Sequence, residues 1–259
     1  MNNSKRGFIL IIILAVILVG VIIAGTIKDK HESKINNEEY SAYVEAASEE
    51  SEESNKTDYE EVDSSKTEGL VEKLRAKQEI KILMLGDDMA MSIGRSSDSG
   101  IWSEGIKNLL QTTYGSKADL KLLAKEGATT ETGVTLVKEN DLSDYDLVIL
   151  CYGNNDNKNS LKVQDVKTNY TEIITKIREK SPHALMIAVL ESSLELNNSY
   201  RLAISEVATS NSLIIADMRN AFNSSGMKES SLAKNGFPND QGYQVYTQAI
   251  GDKIKGAMG

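Results

Sequence analysis

From Glu79 onward, short apolar runs alternate with stretches of helical periodicity, and this alternation limits the fold more than any other feature of the chain. The apolar runs are Ile80–Leu85, Leu120–Ala124, Leu147–Tyr152, Leu185–Leu190 and Leu213–Asp217. Runs with no polar alternation suit strands buried on both faces, the situation of a parallel sheet covered by helices. Helices are expected between them, over Trp102–Thr112, Glu131–Lys138, Val166–Lys180, Ser199–Ser210 and Gln241–Lys255. In the third, Val166, Tyr170, Ile173, Ile174 and Ile177 recur at three- and four-residue spacing and form one apolar face, and Pro182 marks the loop beyond it. Five strands alternating with helices predict an α/β fold, a three-layer α/β/α sandwich around a five-stranded parallel sheet. A short helix within Gly69–Gln78 would lead into it. In such a sheet the loops after the strands share one edge, and chemistry collects there.

The N-terminal part has a different character. Phe8 to Ile27 is apolar apart from Gly20, Gly25 and Thr26, long enough to span a bilayer, which takes about 20 residues. The rival reading is a cleaved signal peptide, with Ala24-Gly25-Thr26 as the small-residue site. The run exceeds the roughly 7–15 apolar residues of a signal core, which favours a retained anchor. Lys5 and Arg6 precede it, so residues 1–7 are expected in the cytoplasm and the C-terminal domain outside, as a single-pass protein of the cell membrane. Residues 28–78 then form an acidic spacer. Between Lys28 and Glu68 stand 14 acidic residues and five lysines, which accounts for the chain's net charge of −9. With few large apolar residues, this stretch is expected to be disordered and extended. An acidic tract that binds a partner or cations is the alternative. The acidity therefore says little about the domain's ligand, and no basic stripe suggests nucleic acid. Cys151 is the only cysteine, which excludes an intrachain disulfide, and its apolar surroundings suggest a core thiol.

Four loops carry unusual residues: Gly86-Asp87-Asp88 after the first strand, Glu126-Gly127-Ala128-Thr129-Thr130 after the second, Gly153-Asn154-Asn155-Asp156 after the third, and Gly236-Phe237-Pro238-Asn239-Asp240-Gln241-Gly242-Tyr243 before the last helix. In this order they resemble the SGNH/GDSL hydrolases. The first block of that family is Gly-Asp-Ser, its second centres on a Gly, its third is Gly-x-Asn-Asp, and its last is Asp-x-x-His, often continued as Pro-Asn-x-x-Gly-Tyr. Ser99-Gly100-Ile101-Trp102 and Asp146-Leu147-Val148-Ile149 extend the likeness, which runs from about Lys81 to the C-terminus. The resemblance implies a flavodoxin-like topology over residues 79–259 and an esterase-like or acyl-hydrolase-like ancestry.

It also implies that the catalytic positions are changed. The nucleophilic Ser falls on Asp88, the triad Asp on Lys234 and the triad His on Phe237, while Gly127 and Asn155 match the oxyanion donors. Acyl hydrolysis of this kind needs an activated oxygen nucleophile and a base with a pKa near about 7. The two histidines do not supply one: His31 lies in the spacer, and His183 precedes the fourth strand, at the opposite edge of the sheet. The leading expectation is a pseudoenzyme that binds, with a cell-wall or surface glycan as the ligand suggested by family analogy. The alternative is an active esterase or acyltransferase using nonstandard groups, with Asp88 or Ser92 as nucleophile. Asp88 would either repel a developing oxyanion or occupy its donors itself. Lys234 could pair with Asp88 or be a solvated loop residue, and Phe237 is expected to pack where the imidazole would stand. Trp102 and Tyr243 read as packing residues. Asp87, Asp88, Asn155 and Asp156 would suit Mg²⁺ or Ca²⁺ if they converged, but the resemblance gives Asp87 and Asp156 loop-supporting roles. No cofactor and no metal are expected.

Overall fold

The computed structural model describes residues 68–259. The expectations for the anchor over residues 8–27 and for the acidic spacer up to residue 67 lie outside the described residues. Among the described residues, no helix is long and apolar enough to cross a membrane.

The strands are β1 (Ile80–Gly86), β2 (Ala118–Ala124), β3 (Leu147–Cys151), β4 (Leu185–Leu190) and β5 (Ile214–Asp217). They form one sheet in the order β2-β1-β3-β4-β5, every pairing parallel. Each of the five expected strands is present within a residue or two of its sequence limits. The main helices are α1 (Glu68–Arg75), α2 (Trp102–Tyr114) and α3 (Thr130–Glu139). The short α4 (Asn154–Lys158) precedes α5 (Val163–Lys180) and α6 (Ser199–Ser210). After β5 come α7 (Met218–Ser224) and α8 (Glu229–Leu232), a small hairpin of β6 (Ala233–Lys234) and β7 (Phe237–Pro238), and α9 (Asp240–Ala257).

Alternate residues of each strand feed two cores. Ile82 and Met84 of β1 point to one face, under Leu70 and Leu74 of α1, Trp102, Ile106 and Leu110 of α2, and Tyr246, Ile250 and Ile254 of α9. Leu83 and Leu85 point to the other, under α3, the apolar face of α5, and α6. The helix expected near Gly69–Gln78 thus belongs to the folded domain, which begins ahead of residue 79. Burying Leu70 and Leu74 contributes roughly 1.5–3 kcal/mol each. Lys73 also ties α1 to Asp146, at 2.6 Å.

The strand order reverses direction between β1 and β3, since the chain leaves β1 toward β2 on one side and returns to β3 on the other. The crevice at that reversal, at the carboxyl ends of the strands, is where a fold of this kind places a ligand. Asp87 and Asp88 follow β1, and Gly153 to Asp156 follow β3, so both stand at this point. His183 sits at the far edge beside Gly69 of α1, where a Cβ on Gly69 would lie 3.8 Å from the His183 Cβ.

Candidate functional site

The segment after β1 is a succession of turns. The Met91 N–H donates to the Asp87 carbonyl at 3.1 Å and the Ile93 N–H to the Asp88 carbonyl at 2.9 Å. Ser92 then takes a left-handed conformation, φ 59°, which ends any helical continuation. Its fully buried hydroxyl accepts the Trp102 N–H at 3.3 Å and so serves the start of α2. That position removes Ser92 as a replacement nucleophile. Trp102 and Tyr243 are packing residues: the indole N–H donates to the Met89 carbonyl at 2.7 Å, and the Tyr243 hydroxyl to the Ile93 carbonyl at 2.7 Å.

Asp88 is 6% exposed. Its Oδ1 accepts the Gly127 N–H at 2.6 Å, and Lys158 Nζ lies 3.7 Å from its Oδ2. The carboxylate therefore holds the backbone donor that the resemblance assigns to an oxyanion. The same ammonium stands 4.5 Å from the centre of the Phe237 ring, a cation–π contact. Asp88, Lys158 and Phe237 thus form one cluster, with the half-exposed Lys158 side chain at its rim. The cation facing Asp88 comes from α4 and is Lys158; the Lys234 pairing considered from the sequence does not form. Asn155 points elsewhere, its Nδ2 lying 3.5 Å from Asp87 Oδ2.

Asp156 supports a loop, as the resemblance implied. It accepts the Thr130 N–H at 3.0 Å and the Thr130 hydroxyl at 2.6 Å, at the start of α3. Burial raises its pKa, and these bonds partly offset that rise. The four-residue metal set of Asp87, Asp88, Asn155 and Asp156 does not assemble, because its carboxylates turn to separate hydrogen-bond donors.

A second acidic centre lies beneath. The Asp87 carboxyl, the Glu191 carboxyl and the Cys151 thiol are all buried, with their polar atoms within 4.8 Å of one another. Glu191 accepts the Asn154 N–H at 2.6 Å and the Cys151 thiol at 3.4 Å, while Asp87 accepts the Met89 N–H at 3.0 Å. Burial and the neighbouring Glu191 charge push the Asp87 pKa well above the ordinary carboxyl range. Burial also raises Glu191, although it accepts a bond from Asp87 that works the other way. Two carboxyls this close cannot both ionise cheaply, so the pair holds one proton, carried on Asp87 and donated to Glu191. Burial pushes the Cys151 thiol up as well, which keeps it a neutral donor. Each member is already satisfied by its neighbours, so the cluster reads as a structural support under the Asp88 loop.

The positions that the resemblance assigns to the catalytic Asp and His are the two ends of a tight turn. Lys234 pairs with Phe237 across the β6–β7 hairpin, and Asn235 and Gly236 take φ 55° and 80°. Positive φ at both central residues is the geometry that Asn-Gly favours in a two-residue hairpin. Behind the hairpin lies a cavity of about 460 Å³, walled by the Ser192–Ser193 loop after β4, by α7 and α8, and by Lys234 to Gly236.

Glu191 and Lys158 were not singled out in the sequence. Glu191 was open to discovery, as the first polar residue after a wholly apolar strand, on the edge where the other loops collect. Lys158 offered no signal, being one lysine in a polar stretch whose contacts depend on where α4 ends.

Against known families, residues 84–245 match the model of the GDSL-like Lipase/Acylhydrolase family. The chain belongs to that family. Solved structures agree on the fold. A two-domain esterase active on acetylated mannans superposes with a TM-score of 0.62 at 15% identity, covering 75% of this chain and 53% of that one. This chain therefore spans about half the length of that esterase. A Clostridium thermocellum family 3 carbohydrate esterase gives a TM-score of 0.57 at 15% identity, covering 70% of this chain and 100% of that one. A lipase/acylhydrolase from Enterococcus faecalis gives 0.56 at 20% identity, with 68% and 96% covered. No curated protein matches the sequence. At these identities the likeness concerns the fold, and function has to be argued from the site.

Proposed function

We propose that this family member does not hydrolyse esters by the family route and acts instead as a binding or accessory module of the cell envelope, held to the membrane by the apolar segment over residues 8–27. Its ligand class is a cell-wall or surface glycan. The observation that carries the reading is the Asp88 carboxylate seated on the Gly127 N–H and closed over by Lys158. A developing oxyanion stabilised there would have to displace a negative group that already holds the donor. The family positions for the base and its partner are Phe237 and Lys234, which offer no proton acceptor. Carbohydrate esterases among the structural neighbours support the glycan class.

The test uses the purified full-length chain with a fluorophosphonate probe and with p-nitrophenyl acetate. No labelling and no turnover above an Asp88→Ala control are expected. Turnover that disappears in that control would overturn the reading and establish the nonstandard esterase in its place.

A further inference from the structure

We propose that the cavity behind the β6–β7 hairpin binds a neutral, polyhydroxylated ligand, a short length of glycan, at a site separate from the Asp88 cluster. The proposal rests on the binding-module reading above and gives it a location. At about 460 Å³ the cavity is of small-ligand size, and Asp88, Gly127, Asn155 and Phe237 are not among its lining residues.

Its charge is balanced. Arg219 donates to the Ser192 carbonyl at 2.8 Å and pairs with Glu195 at 2.8 Å and Glu229 at 3.5 Å. Lys234 supplies a second cation to the lining. Two cations and two carboxylates therefore share the cavity, which carries no net formal charge to favour an anion or a cation. A neutral ligand rich in hydroxyls needs no such bias.

The lining also suits hydroxyl groups. Carboxylates accept only, the guanidinium donates only, and Ser193, Ser230 and Asn235 do both. A sugar hydroxyl can donate and accept at once, so adjacent hydroxyls can bridge these alternating partners. Phe222 and Ala233 add apolar surface for the C–H face of a ring. Arg219 is held in place by the Ser192 carbonyl and its side chain is 17% exposed, whereas Glu195 and Glu229, its exposed ion-pair partners at 67% and 65%, can exchange part of that pairing for a ligand hydroxyl. The guanidinium is the one part of the lining shown to be fixed before binding, so the cost of ordering that side chain is not incurred again.

The experiment titrates the full-length chain with mannobiose, cellobiose and N,N′-diacetylchitobiose, read by saturation-transfer NMR, with galacturonate as a charged control. At least one neutral disaccharide is expected to bind. Substituting Glu195→Ala with Glu229→Ala should weaken it tenfold or more, and Ala233→Trp, which fills the cavity, should abolish it. Asp88→Ala should leave the affinity within twofold. The proposal fails if no neutral disaccharide binds, if galacturonate binds as tightly, or if Asp88→Ala removes binding while the glutamate pair does not matter. Each of those failures, without ester turnover, leaves the non-hydrolytic reading standing; turnover removes that reading whatever the sugars do.

Discussion

Replacing Asp87 with Asn tests the buried proton directly. In the folded protein the Asp87 carboxyl carries a hydrogen toward Glu191 and accepts the Met89 N–H at 3.0 Å. An Asn amide has the same shape, carries that hydrogen permanently, and still accepts from Met89; it gives up only the long 3.5 Å contact from Asn155 Nδ2. At about pH 4 the two proteins should differ by no more than about 1 kcal/mol, the scale of a replaced hydrogen bond. With rising pH they should diverge. The unfolded Asp87 releases its proton near the ordinary value of 3.8, whereas the folded group, its pKa raised, retains it. The folded state then binds more protons than the unfolded state, so wild-type stability falls as pH rises until the folded pKa is reached. The loss from this one group is about 1.4 kcal/mol per pH unit, and Asp87→Asn is spared it. Urea unfolding from pH 4.5 to 8 measures the difference, followed by the fluorescence of Trp102, the only tryptophan and fully packed beside Tyr246. Parallel stability curves for the two proteins across that range would refute the shared proton.

Gly94→Ala should destabilise by about 2–4 kcal/mol in the same assay, because the residue sits at φ 99° and a Cβ there would lie 2.6 Å from the Phe237 Cβ and 2.7 Å from the Pro238 carbonyl oxygen; a loss below about 1 kcal/mol would mean that the hairpin is not held against this loop. Protease added to intact cells should degrade residues 68–259 and spare the short N-terminal tail; full protection of the domain, checked by immunoblot, would place it on the other side of the membrane.

The sheet was legible because its strands are continuous apolar runs, and α5 was legible because five apolar residues repeat on one face. Elements that escaped are too short to show a period: α4, α7 and α8 span five, seven and four residues. Asn235-Gly236 was a readable hairpin signal, but the stretch also matched the family's Asp-x-x-His spacing, and that reading placed the residues without revealing the turn. The turns after Asp88 also escaped, because they depend on a single residue, Ser92, taking a left-handed conformation while its hydroxyl meets the Trp102 N–H. At the site, the sequence placed Asp88 and Phe237 on loops that the fold does bring to one cluster. It did not identify the cation that meets Asp88, because Lys234 was the one considered and the contact of Lys158 depends on where α4 ends.

A two-residue turn makes neighbours of positions 234 and 237, so the two move as a single mechanical unit. A displacement of one flank is passed to the other across that one pair. Altering the turn at Asn235-Gly236 that sets the Phe237 ring therefore also disturbs the seat of Lys158 above that ring. The hairpin thus reaches Asp88 without touching it, through one ammonium that meets both partners.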